Sequence, residues 1–125
     1  MANNPVVWFE IYVEDMPKAK AFYEAVLNVK LTKLESPVPD LEMWQFPSDM
    51  TATGASGALA RMQGVKPGGN STVVYFACED CAVEAARVVP AGGRIKDPKT
   101  SIGQYGFIAL AYDRDGNLFG LHSMK

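Results

Sequence analysis

The side chains able to move protons in this chain are few, and they lie on apolar, strand-like runs. Residues 6–13 read Val-Val-Trp-Phe-Glu-Ile-Tyr-Val, and Glu10 is the only carboxylate among them. Tyr75 lies in a second apolar run, and the single histidine, His122, lies in a third. A carboxylate beside an imidazole raises the histidine's pKa and holds one tautomer. A half-buried glutamate can serve as a general base, with a tyrosine as proton donor. Glu10, Tyr75 and His122 are therefore catalytic candidates with the minimum equipment for proton transfer next to a carbonyl. The same residue types occur in strands of inert domains, so a structural role competes.

Other residues suit binding rather than chemistry. Side chains alternate along a strand, so Trp8, Glu10 and Tyr12 share a face, as do Val73, Tyr75 and Ala77, and Gly120 and His122. Trp8, Tyr12 and Trp44 can form flat aromatic walls for an apolar ligand, or they can be core. Arg61 offers an anion a bidentate partner if its strand turns it inward, and is otherwise solvated. Cys78-Glu79-Asp80-Cys81 has the spacing of a redox dithiol or half a zinc site. With two cysteines and one histidine, a four-ligand zinc site of that kind cannot close within one chain. Buried small apolar residues are the expected role of both cysteines.

These residues are positioned by a regular series of elements. A strand over residues 6–13 leads to Asp15 as an N-cap and Pro17 in the first helical turn. Ala19, Phe22, Tyr23, Val26 and Leu27 then mark one apolar helix face, and Asn28 suits a left-handed C-terminal position. Strands are expected over residues 30–34, 42–46 and 57–63, the first two separated by the turn at 36–40. Residues 64–70, Gly-Val-Lys-Pro-Gly-Gly-Asn, read as a linker and not as a phosphate loop.

The pattern then restarts. A strand over 72–78 leads to Asp80 as a cap and a helix through Ala82 to Val89, stopped by Pro90 and Gly92-Gly93. Strands follow over 94–96, 107–112 and 117–123, the last two joined by the hairpin turn Asp113-Arg114-Asp115-Gly116. Gly103-Gln104-Tyr105-Gly106 reads as a loop that can act as a lid. Val13-Glu14-Asp15 and Cys78-Glu79-Asp80 stand 65 residues apart, and at that offset both halves read strand, Glu-Asp, helix, strands. The chain therefore reads as an α+β fold of two βαβββ modules, about 5–63 and 71–124, within one domain over 1–125. Neither half can bury its apolar sheet face alone, which predicts that they pair into a curved sheet with a cleft.

Composition excludes several classes. The formal net charge is −2, with 21% charged residues, so no basic excess exists to neutralise nucleic-acid phosphates. No apolar run approaches the roughly 20 residues of a membrane span. The opening Met-Ala-Asn-Asn-Pro lacks the basic and apolar regions of a signal peptide. Two cysteines and no export signal predict a reducing, cytoplasmic location.

The opening helix, Ala21-Phe22-Tyr23-Glu24-Ala25-Val26-Leu27 after Glu-Asp, resembles the A-x-x-F-Y-x-x-V-L-G motif of the vicinal oxygen chelate superfamily. That superfamily includes glyoxalase I, bleomycin- and fosfomycin-resistance proteins and extradiol dioxygenases. The stretch Asp113-Arg114-Asp115-Gly116-Asn117-Leu118-Phe119-Gly120-Leu121 resembles its D-P-D-G-N-x-x-E-L ending. The resemblance covers essentially the whole chain. It implies a cupped, barrel-like mixed sheet, and in the metal enzymes a divalent ion held by His, Gln or Glu on the first and last strand of each module. Here those positions fall on Trp8, Val73, Gly120 and one of Ala58, Leu59 or Ala60. None can bind such a cation through its side chain, so no metal cofactor is expected at the usual place.

The resemblance also implies that the strands bearing these positions run parallel, which would place Glu10, Tyr75 and His122 one step along the cavity from the lost ligand layer. Three functions follow as expectations. The first is metal-free binding of a small organic ligand by Trp8, Tyr12, Trp44 and Arg61, as in drug-sequestering relatives. The second is a glyoxalase-type lyase, isomerase or dioxygenase using Glu10, Tyr75 and His122 as a non-standard site. The third is a structural or regulatory module. The resemblance further implies a homodimer.

Overall fold

Aspartate starts both helices. Asp15 accepts a hydrogen bond from the Lys18 amide at 3.1 Å, and Asp80 from the Ala82 amide at 3.0 Å. These bonds satisfy amide donors that a helix leaves unpaired in its first turn. Asn28 ends the first helix at φ 54°, in the left-handed region.

The computed structural model describes residues 4, 6, 8–36, 38–69 and 72–125. The first module is β1 (Phe9–Tyr12), α1 (Met16–Leu27), β2 (Thr32–Leu34), β3 (Leu41–Gln45) and β4 (Gly57–Met62). The second is β5 (Val74–Ala77), α2 (Cys81–Val88), β6 (Arg94–Ser101), β7 (Phe107–Tyr112) and β8 (Leu118–Ser123), with a short 3-10 turn at Gly103–Tyr105. Expected strand residue 7, turn residue 37, linker residue 70 and the expected module starts at 5 and 71 lie outside the described residues.

Each module makes a four-stranded mixed sheet, ordered β1-β4-β3-β2 and β5-β8-β7-β6. The first strand of each module pairs parallel with the last, and the other pairs are antiparallel. The two βαβββ modules and their open, cupped sheets are those expected from the repeat. One strand differs. β6 runs to Ser101 rather than stopping at Lys96, passing through Pro98 with register shifts on either side of Asp97. It is an edge strand, where the amide that proline lacks has no ladder partner to lose.

The modules share one core. Ile11 and Leu59 from the first sheet, Phe22, Tyr23 and Val26 from α1, Cys81 and Val88 from α2, and Ala109, Phe119 and Leu121 from the second sheet form one buried cluster. Aromatic rings knit it across the module boundary. Phe9 meets Phe76 edge-on at 5.9 Å, and Tyr23 lies 5.6 Å from Phe119. Such pairs add about 0.5–1.5 kcal/mol each beyond their buried area.

Candidate functional site

Strand register assigns each candidate to a face. Glu10 pairs with Ala58 and Tyr12 with Ala60, while Ile11 pairs with Leu59. Ile11 and Leu59 are in the shared core, so Trp8, Glu10 and Tyr12 point the other way, as alternation predicts. On that outer face Met43, Ala58 and Ala60 form a small second cluster with Tyr12, Leu34 and Leu41 against it.

Glu10 is held there by its neighbours two residues away. The Trp8 indole donates to one carboxylate oxygen at 3.2 Å, and the Tyr12 hydroxyl donates to the other at 2.9 Å. The Tyr12 bond to Glu10 is the largest cause that raises the tyrosine's pKa, with burial adding to it. A charged acceptor favours the protonated phenol. Beside this trio lies a pocket of about 200 Å³, lined among others by Glu10, Tyr12, Val65, Lys66, Asn117 and Leu118. It therefore takes walls from β1, the linker and β8.

The other candidates lie elsewhere. Trp44 pairs with Leu59 and stands on the core-side face, where Lys20 sits 5.0 Å over its ring. Its indole donates to Glu42 at 3.1 Å. Arg61 also turns away from Glu10, because Ala60 and Met62 take the outer positions at that end of β4. Its Nε donates to the Glu14 carbonyl at 2.8 Å and braces the turn before α1. Trp44 and Arg61 thus do not line the face expected of them.

Tyr75 and His122 lie on the second sheet. Tyr75 pairs with Gly120, and its ring covers the place a Cβ on that glycine would occupy. His122 Nε2 lies 2.7 Å from the Tyr105 carbonyl, on the 3-10 turn expected as a lid. Tyr75 and His122 share the face of their sheet that points away from the core, and among the described residues no hydrogen bond joins Glu10 to either of them. The two groups sit on separate sheets, whose relative placement is set by the shared core and not by strand pairing.

The positions that the family resemblance assigns to metal ligands offer no donors. Trp8, Val73 and Gly120 have none that suits a cation, and on β4 the outward residue beside Glu10 is Ala58. At Gly120 the space is filled by the Tyr75 ring. Such a residue set does not fit a divalent ion. Among the described residues no three His, Cys, Asp or Glu side chains converge.

A buried polar network behind the pocket carries the D-x-D-G-N motif. Asp113 accepts the Tyr23 hydroxyl at 2.7 Å, and one of its oxygens also accepts the Asp115 and Asn117 amides. Burial pushes the Tyr23 phenol well above its ordinary pKa, reinforced by the Asp113 charge. Gly116 closes the turn at φ 84°, a conformation open to glycine. Asn117 donates to Asp113 and to the Tyr12 carbonyl, and accepts the Gly68 amide at 2.6 Å. Tyr23 and Asn117 line the pocket, a role that sequence reasoning misses, although both lie in the two family-like motifs.

Among solved structures, a glyoxalase I mutant from Zea mays is 22% identical with a TM-score of 0.75, covering 96% of this chain and 46% of its own. The chain thus spans about half the length of that protein. Glyoxalase I from Leishmania major is 19% identical, TM-score 0.71, covering 98% of this chain and 88% of its own. TnmS3, an antibiotic binding protein from Streptomyces sp. CB03234, is 27% identical, TM-score 0.70, covering 98% of each chain. No curated protein matches the chain by sequence. A family model matches residues 6–121, and the chain belongs to the Glyoxalase/Bleomycin resistance protein/Dioxygenase superfamily.

Proposed function

We propose that the chain binds a small organic molecule, without a metal, on the sheet face that carries Trp8, Glu10 and Tyr12. The observation that carries this is a pinned carboxylate beside a pocket in a fold whose metal-ligand positions have lost their donors. Trp8 is 37% exposed and offers a stacking surface. The similarity to an antibiotic binding protein of matching length supports the same reading.

The pocket of about 200 Å³ is smaller than the roughly 300–1,000 Å³ that encloses a drug-sized ligand. A second copy of the chain supplies the missing wall in this reading. The double-length Zea mays chain supports it, since two copies match its extent. Among the described residues no helix is long and apolar enough to cross a membrane. Free Cys78 and Cys81 support a reducing, cytoplasmic setting.

The test is a screen of planar organic ligands by thermal shift and tryptophan fluorescence, with light scattering for mass. A ligand that raises the midpoint should lose most of its effect in Trp8→Ala and Glu10→Gln, and the mass should be that of two chains. One tight Ni(II), Mn(II), Fe(II) or Zn(II) ion per chain would overturn the metal-free reading. A second reading, metal-free proton transfer, rests on the 2.9 Å contact that sets Tyr12, held protonated, as a proton donor beside the Glu10 carboxylate. It requires turnover that Glu10→Gln abolishes.

A further inference from the structure

A second cavity, of about 220 Å³, opens at the module boundary on the opposite side of the sheets from Glu10. Phe9 and Phe46 form its wall in the first module, Phe76 and Ala77 in the second, and Leu27 closes it from the end of α1. Phe46 lies 5.6 Å from Phe9 and 5.5 Å from Phe76, so the three rings make a continuous aromatic wall. Among the described residues one charged side chain lines this cavity: Glu84 of α2.

Glu84 Oε1 is buried and has no hydrogen-bond partner. Among the described residues Glu84 makes no ion pair, and Arg87, one turn on, is spent on the Val26 carbonyl at 3.2 Å. The nearby Cys78 thiol is pushed up to about 12, first by burial and then by the charge of Glu84 and a hydrogen bond toward it, so it stays neutral. It is a weak donor whose geometric partner is the Phe76 carbonyl at 3.6 Å, which leaves the Glu84 oxygen without a good one. Glu84 is half-buried as a residue, with one carboxylate oxygen shut off from water and unpaired, an arrangement that favours a cation within reach.

We infer that this inter-module cavity is a binding site for a small arylalkyl ammonium ion, its amine on Glu84 and its ring against Phe9, Phe46 and Phe76. The size fits. An apolar protein cavity of roughly 150 Å³ takes one benzene, and the remaining space takes a two- or three-atom aminoalkyl arm. Aromatic faces also attract a cation directly. The site is independent of the one proposed on the outer sheet face, since it shares no lining residue with that pocket.

The probes are 2-phenylethylamine, its uncharged counterpart 2-phenylethanol, and ethylamine, each titrated into the full chain by calorimetry and amide NMR. The expected result is one arylalkylamine per chain, with shifts at the Ser56 and Ala77 amides on the two sides of the cavity. The alcohol should bind at least about tenfold more weakly, the scale of a hydrogen bond to a charged group, and ethylamine at least about tenfold more weakly for want of the ring's buried apolar area. Glu84→Gln, which keeps the side-chain shape, should lose the preference for amine over alcohol. Equal binding of amine and alcohol, an amine affinity unchanged in Glu84→Gln, or no binding of the arylalkylamine would each overturn the assignment. The alcohol comparison uses the unaltered chain, so it stands even if the variant folds poorly.

Discussion

Asn117→Ala removes one amide that ties three segments together. Its oxygen accepts the Gly68 amide of the linker, and its nitrogen donates to the Tyr12 carbonyl of β1 at 3.0 Å and to Asp113 of the hairpin at 2.9 Å. A neutral hydrogen bond contributes about 1 kcal/mol net, and one to a carboxylate about 1.5–3 kcal/mol. Water can reach half-buried Gly68 once the side chain is gone, which trims the total, so the expected loss is about 3 kcal/mol. For a domain of this size that lowers the melting midpoint by roughly 10 °C. Urea unfolding followed by circular dichroism measures it, and an unchanged m-value would show that the same surface is exposed. Ligand affinity at the Trp8 face should fall too, because Lys66 loses its anchored neighbour. Asn117→Asp keeps the shape but sets a second carboxylate against Asp113. Repulsion raises the folded-state pKa of the introduced group, so this variant is weakest at neutral pH and recovers below about pH 4. A loss under about 1 kcal/mol in Asn117→Ala would refute the claim that this side chain holds the modules together.

Alkaline stability should report on Cys78. Its pKa rises from 9.0 to about 12 on folding, so the folded chain binds the proton more tightly. That contribution is complete below pH 9 and is lost as pH rises toward 12. Cys78→Ser should flatten the fall in urea midpoint above pH 9, leaving only the limb due to Tyr12 and Tyr23, whose pKa values are also raised. Gly93→Ala should be poorly tolerated, because a Cβ there meets the Tyr112 carbonyl oxygen and the Phe22 ring. A backbone carbonyl cannot retreat without opening the β6–β7 pair, and thermal melts should show a loss of about 2 kcal/mol or more.

The parts legible in the sequence are those governed by local rules. Asp15, Asp80 and Asn28 sit where capping chemistry requires them, and the repeat is visible because both modules place Glu-Asp at one offset. Strand alternation correctly groups Trp8 with Glu10 and Tyr12. The faces of Trp44 and Arg61 are not legible, because Ala58-Leu59-Ala60 is uniformly small or apolar and carries no period-two signal. The strand expected over 94–96 stops short of Pro98, and the edge position of β6 explains the proline's presence within the longer strand. Glu10 and His122 stand on separate sheets, and how the two dock through a shared core is a tertiary choice with no sequence period. The unpaired oxygen of Glu84 is equally invisible, since a glutamate on a helix ordinarily faces water.

The network at the hairpin also dictates the order in which the chain can become stable. Tyr23 finds its partner 90 residues later in Asp113, and the Tyr12 carbonyl finds its donor 105 residues later in Asn117. Contacts of such long range delay folding, because their loop entropy must be lost before they form. A nascent first module leaving the ribosome thus presents Phe9, Tyr23 and Phe46 without the Phe76 and Phe119 that cover them. Despite its duplicated plan, the chain has one core drawn from both modules, so the first module lacks its full packing partners until the final hairpin emerges.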